Sequence, residues 1–274
     1  MAGLERRARP LQCPAMLSIP DSLPRAALVT GAGKRIGRAI ALALADAGFS
    51  VAVHASTSMA DAEQTATDIR ARGVAAVVLR AELGNEAEVS RLVPDAQAAL
   101  GPLGVLVNNA STFERDEWHD ATRESWDRHI EPNLRAPFVL IQAFARALPD
   151  EAQGVVINML DERVWSLTGH FMSYTLSKAG LWALTQTMAL ALAPRIRENG
   201  IGPGPAVPCP RQTAVQFARQ AASVPLGHGT SPEEVARAAL TLLALPSMTG
   251  QMLALDGGQH MQWWPQQQAG ALEE

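Results

Sequence analysis

The sequence predicts an α/β fold, a doubly wound parallel sheet of about seven strands in a single domain. Short apolar runs bounded by glycine or polar turns alternate with longer helical segments along the chain. The first of these runs leads straight into a glycine-rich turn and then a helix. At 274 residues, 47% of them hydrophobic, the chain is long enough to bury a core on both faces of such a sheet.

The first apolar run, 26–30, reads as a buried parallel strand because it is continuously apolar rather than alternating. A helix is expected over 38–47, a strand over 49–54 and a helix over 59–72. The pattern repeats with a strand at 74–79, a helix at 86–100, a strand at 103–108 and a long helix over 123–148. Then come a strand at 154–159, a helix at 172–193, a strand at 196–201, a helix at 232–245 and a strand at 252–255. The sixth strand contains Glu198 and Gly200, unusual in a buried strand; they weaken it, or Glu198 pairs with a nearby arginine. The segment 205–228 is rich in Pro, Gln and Ala and reads as a mobile lid.

Composition narrows the function. A formal charge of −4, with no basic block beyond Arg6-Arg7-Ala8-Arg9, argues against a nucleic-acid partner. Cys13 and Cys209 lie far apart with no metal-ligand spacing, so no metal is expected, and the setting is read as reducing and cytoplasmic. Residues 1–24 have no apolar run of the length that a signal peptide or a membrane span needs. They are expected to form a loose tail ahead of a single domain at 25–274, with Met16 an alternative start.

Chemistry concentrates at the predicted carboxyl ends of the strands, where ligands bind in such sheets. Gly31, Gly33 and Gly37, with Lys34, Arg35 and Ile36 between them, bring backbone amides and a helix start toward a pyrophosphate. His54, Ser56 and Thr57 follow the second strand without a carboxylate before Asp61. An acid there would bind a ribose 2′-hydroxyl and repel a 2′-phosphate, so its absence beside Lys34 and Arg35 points to NADP; a plain solvated turn is the alternative. After the fourth strand, Asn108, Asn109, Ala110 and Ser111 either face a cofactor or form an Asx turn.

Tyr174 is the only tyrosine, and it stands one helical turn before Lys178; Lys34 and Lys178 are the only lysines. On one helix face the ammonium is expected to favour the phenolate and move the phenol toward a useful range. Asn133, beside Pro132 in a predicted helix, is either a kink that holds a water or a local irregularity. Asp161 ends the fifth strand and is either a turn residue or a catalytic partner of Tyr174.

Taken in order, Gly31, Gly37, Asn108 to Ala110, Asn133, Tyr174 and Lys178 resemble the short-chain dehydrogenase/reductase family over residues 26–260. The resemblance implies a Rossmann-like fold in which Tyr174 moves the proton, Lys178 binds the nicotinamide ribose and tunes Tyr174, and Asn133 holds a relay water. It also implies that Glu82 and Leu83 flank the adenine, that Pro203 and Gly204 lie by the nicotinamide, and that the protein is a homo-oligomer, with tetramers common. That fits the helix at 172–193, which is apolar on nearly every side.

Three departures from the family pattern look like the pteridine reductases: Arg35 in place of a glycine, the run Asn108-Asn109-Ala110-Ser111-Thr112-Phe113, and Asp161 in place of serine. In that subgroup the resemblance implies that Phe113 and the nicotinamide sandwich a flat pterin ring. Arg35 and Ser111 lie near phosphate and pterin, and Asp161 cooperates with Tyr174. The chemistry agrees: a ketone oxygen wants a hydroxyl donor, which an ionised Asp is not, whereas a pterin offers N–H groups to a carboxylate. Phe113 offers a π face, although a core aromatic would read the same. The sequence therefore points to an NADPH-dependent reductase of a pterin-like substrate. The alternatives are a reductase or dehydrogenase of carbonyls and alcohols and, further off, a non-catalytic NADP-binding protein.

Overall fold

The computed structural model describes residues 18–209 and 211–262. The expectations for residues 1–17, including Cys13 and a start at Met16, fall outside them. Seven strands form one parallel sheet in the order β3-β2-β1-β4-β5-β6-β7. They are β1 (Ala26–Val29), β2 (Ser50–Ala55), β3 (Ala76–Arg80), β4 (Val105–Asn108), β5 (Gly154–Met159), β6 (Ile196–Pro203) and β7 (Met252–Leu255). The helices are α1 (Arg35–Asp46), α2 (Met59–Arg70), α3 (Glu86–Leu100), α4 (Arg123–Ile130), α5 (Ala136–Ala147), α6 (Met172–Leu192), α7 (Ala214–Ser223) and α8 (Pro232–Ala244).

Every residue of β1, β4 and β5 is buried, as strands sandwiched between helix layers must be. On one face Ile40, Leu44 and Val235 pack with Val29, Val53 and Ile157; on the other Leu92, Leu140 and Phe144 pack with Leu28, Leu106 and Val156. Alternate residues of each strand thus feed opposite cores. Truncating a side chain such as fully buried Leu44 to alanine costs about 2–5 kcal/mol. The order of strands reverses between β1 and β4, and that crevice is where a ligand site is expected.

Four details differ from the sequence reading. Residues 18–24 are not a loose tail: Leu23 is buried, Ile19 packs on the core, and the Gln153 amide donates to the Ser22 carbonyl. The helix expected over 123–148 is interrupted by a π-helical turn, Glu131–Arg135, which contains Pro132 and Asn133. The lid segment contains a helix, α7, opened by a reciprocal cap between Thr213 and Gln216. Strand β6 is not weakened. Gly200 makes room for Leu160, whose Cδ1 would lie 2.3 Å from a Cβ there, and Glu198 accepts a 2.7 Å bond from Asn158 Nδ2 rather than pairing with arginine. Arg197 instead donates to the carbonyls of Leu242, Leu243 and Met248.

Candidate active site

The glycine turn is shaped by contacts that admit no side chain. Gly31 takes φ +63°, and a Cβ on Gly37 would lie 2.2 Å from the Gly31 carbonyl oxygen and 2.5 Å from Asn109 Nδ2. Asn109 clamps the turn by donating from Nδ2 to the carbonyls of Thr30 (2.8 Å) and Gly31 (3.2 Å), while Thr30 Oγ1 accepts from the amides of Asn109 and Ala110. Lys34, the N-cap of α1, makes no side-chain cap, and the first turn holds no acid. Its orphan amides and the positive end of the helix dipole suit a phosphate. Arg35, which replaces the glycine, adopts left-handed φ 55°.

His54 lines the cavity and also braces the glycine turn. It is buried, Nδ1 accepts from the Gly31 amide at 3.1 Å, and Nε2 donates to the Ala81 carbonyl at 3.0 Å. Burial holds its pKa below the usual imidazole range, so a neutral ring braces the turn. Ser56 donates to Glu82 Oε2 at 2.6 Å. Asp61, the first carboxylate after β2, stands 4.0 Å from Lys34 Nζ, with both side chains mostly exposed.

A cavity of about 920 Å³ opens over the β1/β4 crevice. All the residues predicted to meet cofactor or substrate line it, from the glycine turn through Thr57, Leu83, Ser111, Phe113, Asp161, Tyr174 and Lys178 to Pro203 and Gly204. Asn133 does not. Its amide is taken up by protein: Nδ2 donates to the Thr112 carbonyl (2.9 Å) and Ser177 Oγ (3.1 Å), and Oδ1 accepts from the Thr112 amide at 2.8 Å. The kink is real, and the side chain fixes the loop after β4.

At the inner wall the Tyr174 hydroxyl donates to Asp161 Oδ2 at 2.8 Å. The other carboxylate oxygen accepts from the Arg163 amide (2.9 Å) and Nη1 (3.2 Å). Lys178 shares the helix face with Tyr174, its Nζ 5.8 Å from the ring centroid and 2.7 Å from the Met159 carbonyl to which it donates. The expected tuning is reversed. Burial and then the Asp161 charge drive the phenol well above its ordinary pKa, with Arg163 opposing, and burial pulls the Lys178 ammonium down to about 8. A phenol that stays neutral is a proton donor, not a base.

Phe113 lines the cavity, with one ring already against it: Phe171 stacks at 4.7 Å and 13°, and Tyr174 meets it edge-on at 4.6 Å. Arg211, from the lid, places its guanidinium 5.5 Å from the Phe113 centroid while donating to the Phe113 carbonyl and to Glu114. Arg35 donates from the other rim to the carbonyls of Val207 and Pro208. Arg163, Phe171 and Arg211 were missed in the sequence. Only Arg163 left a trace, as a cation two residues beyond Asp161.

The model of the short chain dehydrogenase family matches residues 25–239. The chain belongs to this family. Among the short chain dehydrogenases it is 34% identical over 186 residues to the 3-oxoacyl-acyl-carrier-protein reductase FabG of Staphylococcus epidermidis, covering 66% of this chain and 74% of that protein. Among solved structures it resembles FolM alternative dihydrofolate reductase 1 from Brucella canis complexed with NADP, with a TM-score of 0.86 and 42% identity over 93% of this chain and 100% of that one. The protein of the same name from Brucella suis, also with NADP, gives a TM-score of 0.84 and 44% identity, covering 87% and 96%. The family makes this chain an oxidoreductase. Among the described residues no helix is long and apolar enough to cross a membrane.

Proposed function

We propose that this chain is an NADPH-dependent reductase of a pterin-like nitrogen heterocycle, with Tyr174 and Asp161 handling the proton. The observation that carries this reading is the 2.8 Å bond from the Tyr174 hydroxyl to Asp161 beside the Phe113 ring. The FolM structures, solved with NADP and called alternative dihydrofolate reductases, support it.

The residues present fit the dinucleotide, because Gly31 and Gly37 allow a turn too tight for any Cβ, and the uncapped start of α1 lies on the cavity wall. Gly31, Gly33, Arg35, Ile36 and Gly37 would hold the pyrophosphate, with Lys34, Ser56 and Thr57 toward the 2′-phosphate. Glu82 and Leu83 would flank the adenine, Asn109, Ala110 and Ser111 the central part, and Pro203, Gly204 and Lys178 the nicotinamide ribose. When bound, the cofactor supplies hydride. Burial and Asp161 keep the Tyr174 proton on oxygen until a more basic ring nitrogen comes within reach. Asp161 also offers a carboxylate to ring N–H groups, which a serine would not. Phe113, already stacked on Phe171, presents its remaining ring surface, and Arg211 must give way or join the stack.

A second reading, reduction of a carbonyl, is favoured by the likeness to FabG. Loss of reduced-nicotinamide absorbance with 7,8-dihydrofolate and with simple ketones separates the two. Asp161→Ser is expected to lower dihydrofolate turnover about 10²-fold or more while sparing or raising ketone turnover. The opposite ordering establishes the carbonyl reading. On α6, Leu176 and Leu190 are 49% and 84% exposed, which supports a homo-oligomer, a tetramer by the family pattern. Light scattering at micromolar concentration is expected to return a multiple of the 29.2 kDa chain mass.

A further inference from the structure

Helix α6 carries Tyr174 on its first turn, yet it begins without a cap of its own. The N-cap Phe171 sits in the left-handed region at φ 57°, makes no side-chain cap bond, and no acid follows in the first turn. The first amides of any helix need acceptors from somewhere. Here they come from Asp116, which is 4% exposed in the loop after β4. Its backbone carbonyl accepts from the Met172 amide at 3.2 Å and its Oδ1 from the Ser173 amide at 3.1 Å. Oδ2 accepts a short bond from Ser173 Oγ and a 3.0 Å bond from Ser125 Oγ. A carboxylate placed there also meets the positive end of the helix dipole.

The same stretch carries the ring that faces the substrate. Thr112 is held by Asn133, the Glu114 amide donates to His129 Nε2 at 3.0 Å, and Asp116 holds Ser173. Phe113 lies between the first two anchors and packs edge-on against Tyr174. His129 Nδ1, 2.7 Å from Ser173 Oγ, ties the second anchor to the third. The phenol and the ring are therefore indexed to each other through a residue that does not line the cavity.

We propose that Asp116 is a positioning residue that caps the Tyr174 helix from the neighbouring loop and sets the Tyr174 hydroxyl and the Phe113 ring in one register. The inference rests on the proton-donor role proposed for Tyr174. Misplacing a reacting group by about 1 Å from outside the chemistry lowers turnover on the order of 10²-fold.

The sole tyrosine makes the test direct, because labelling tyrosine at Cζ with ¹³C gives one resonance, that of Tyr174. The groups facing the phenol are Asp161, Arg163, Glu162 and Lys178, with the His129 ring at 6.0 Å. In the wild-type chain the resonance is expected to show no ionisation up to pH 10. In Asp116→Ala it is expected to move and to titrate closer to 10, as the hydroxyl leaves Asp161 and meets water. Turnover of 7,8-dihydrofolate is expected to fall about 10- to 100-fold in kcat, with NADPH affinity within about twofold of wild type. Asp116→Asn keeps an acceptor for the Ser173 amide and should recover part of both signals. If Asp116→Ala does not fold, Asp116→Asn and Ser173→Ala carry the same two measurements. A folded variant whose Tyr174 resonance and titration match wild type overturns the proposal. Tyr174→Phe separates the two ideas: undiminished turnover there removes the donor role, while the Tyr174 resonance of the Asp116 variants still reports whether Asp116 holds the tyrosine.

Discussion

The half of the molecule around β1, β2 and α1 and the half around β5, β6 and α6 are built by different means. In the first, the glycine turn is held by backbone approach and by side chains with matched partners: buried His54 between Gly31 and Ala81, half-buried Asn109 on Thr30 and Gly31. In the second, polar groups sit inside the sheet, and the segment after β6 is held at the cavity rim by contacts across it, from Arg35 of α1 to Val207 and Pro208 and from Arg211 to Phe113 and Glu114. The first arrangement has no slack, since a shift of a few tenths of an ångström breaks several contacts at once. The second is held more loosely at its rim, where the exposed Arg211–Glu114 ion pair contributes little and exchanges readily with water. A dinucleotide is one shape in all such proteins, whereas substrates differ, and the stiffness follows that division.

The comparison breaks most sharply at Gly37. A methyl group there would lie 2.2 Å from the Gly31 oxygen, so Gly37→Ala is expected to displace the turn and weaken NADPH binding about 100-fold or more, read by fluorescence titration.

The polar interior of the other half offers the second test. Glu198 is fully buried, and burial raises its carboxyl pKa to about 8, with the Asn158 bond opposing. Among the described residues its Oε2 and Asn108 Oδ1 have no hydrogen-bond partner. The unfolded carboxyl releases its proton near 4.5 and the folded one only near 8, so the folded chain binds more protons across that window and stability falls as pH rises through it. Glu198→Gln removes that slope. The drop in melting temperature between pH 5 and pH 8 is expected to shrink by several degrees, corresponding to about 1–3 kcal/mol. His54, lowered by burial, contributes the opposite slope near 6.5 in both proteins and cancels in the difference.

The smallest effect belongs to the rim. Arg211→Ala is expected to cost less than about 1 kcal/mol of stability in a thermal melt. It should nevertheless change KM for dihydrofolate several-fold with NADPH affinity unaltered, since Arg211 no longer holds the Phe113 carbonyl.

What the sequence disclosed follows from the range of the forces involved. The strands were legible because burial on both faces leaves an apolar run, as in Ala26–Val29 and in Val105, Leu106 and Val107 of β4. The cavity residues were legible because strand ends and glycine turns mark the carboxyl edge of the sheet. The state of Tyr174 was not, since one helical turn suggests its neighbour Lys178 but says nothing of depth, and burial together with Asp161 outweighs that neighbour. Likewise Phe171 stacks on Phe113 across 58 residues of chain, and Asp116 reaches Ser173 across 57. Neither leaves a local pattern. The cap that opens α7, Thr213 with Gln216, was in plain view but lay inside a segment whose composition was read as a mobile lid.

The π-helical turn at Glu131–Arg135 lets one rod answer to two surfaces. Upstream, Ser125 and His129 must point at the start of α6; downstream, Leu140, Ile141 and Phe144 must point at the sheet. A wider turn absorbs an additional residue, and one residue of an ordinary helix is about 100° of rotation. Shortening the chain by one residue in this turn would therefore swing the upstream side chains away from α6 while the sheet-facing ones stayed in place. The bulge is a phase shifter, and in this stretch length matters more than composition.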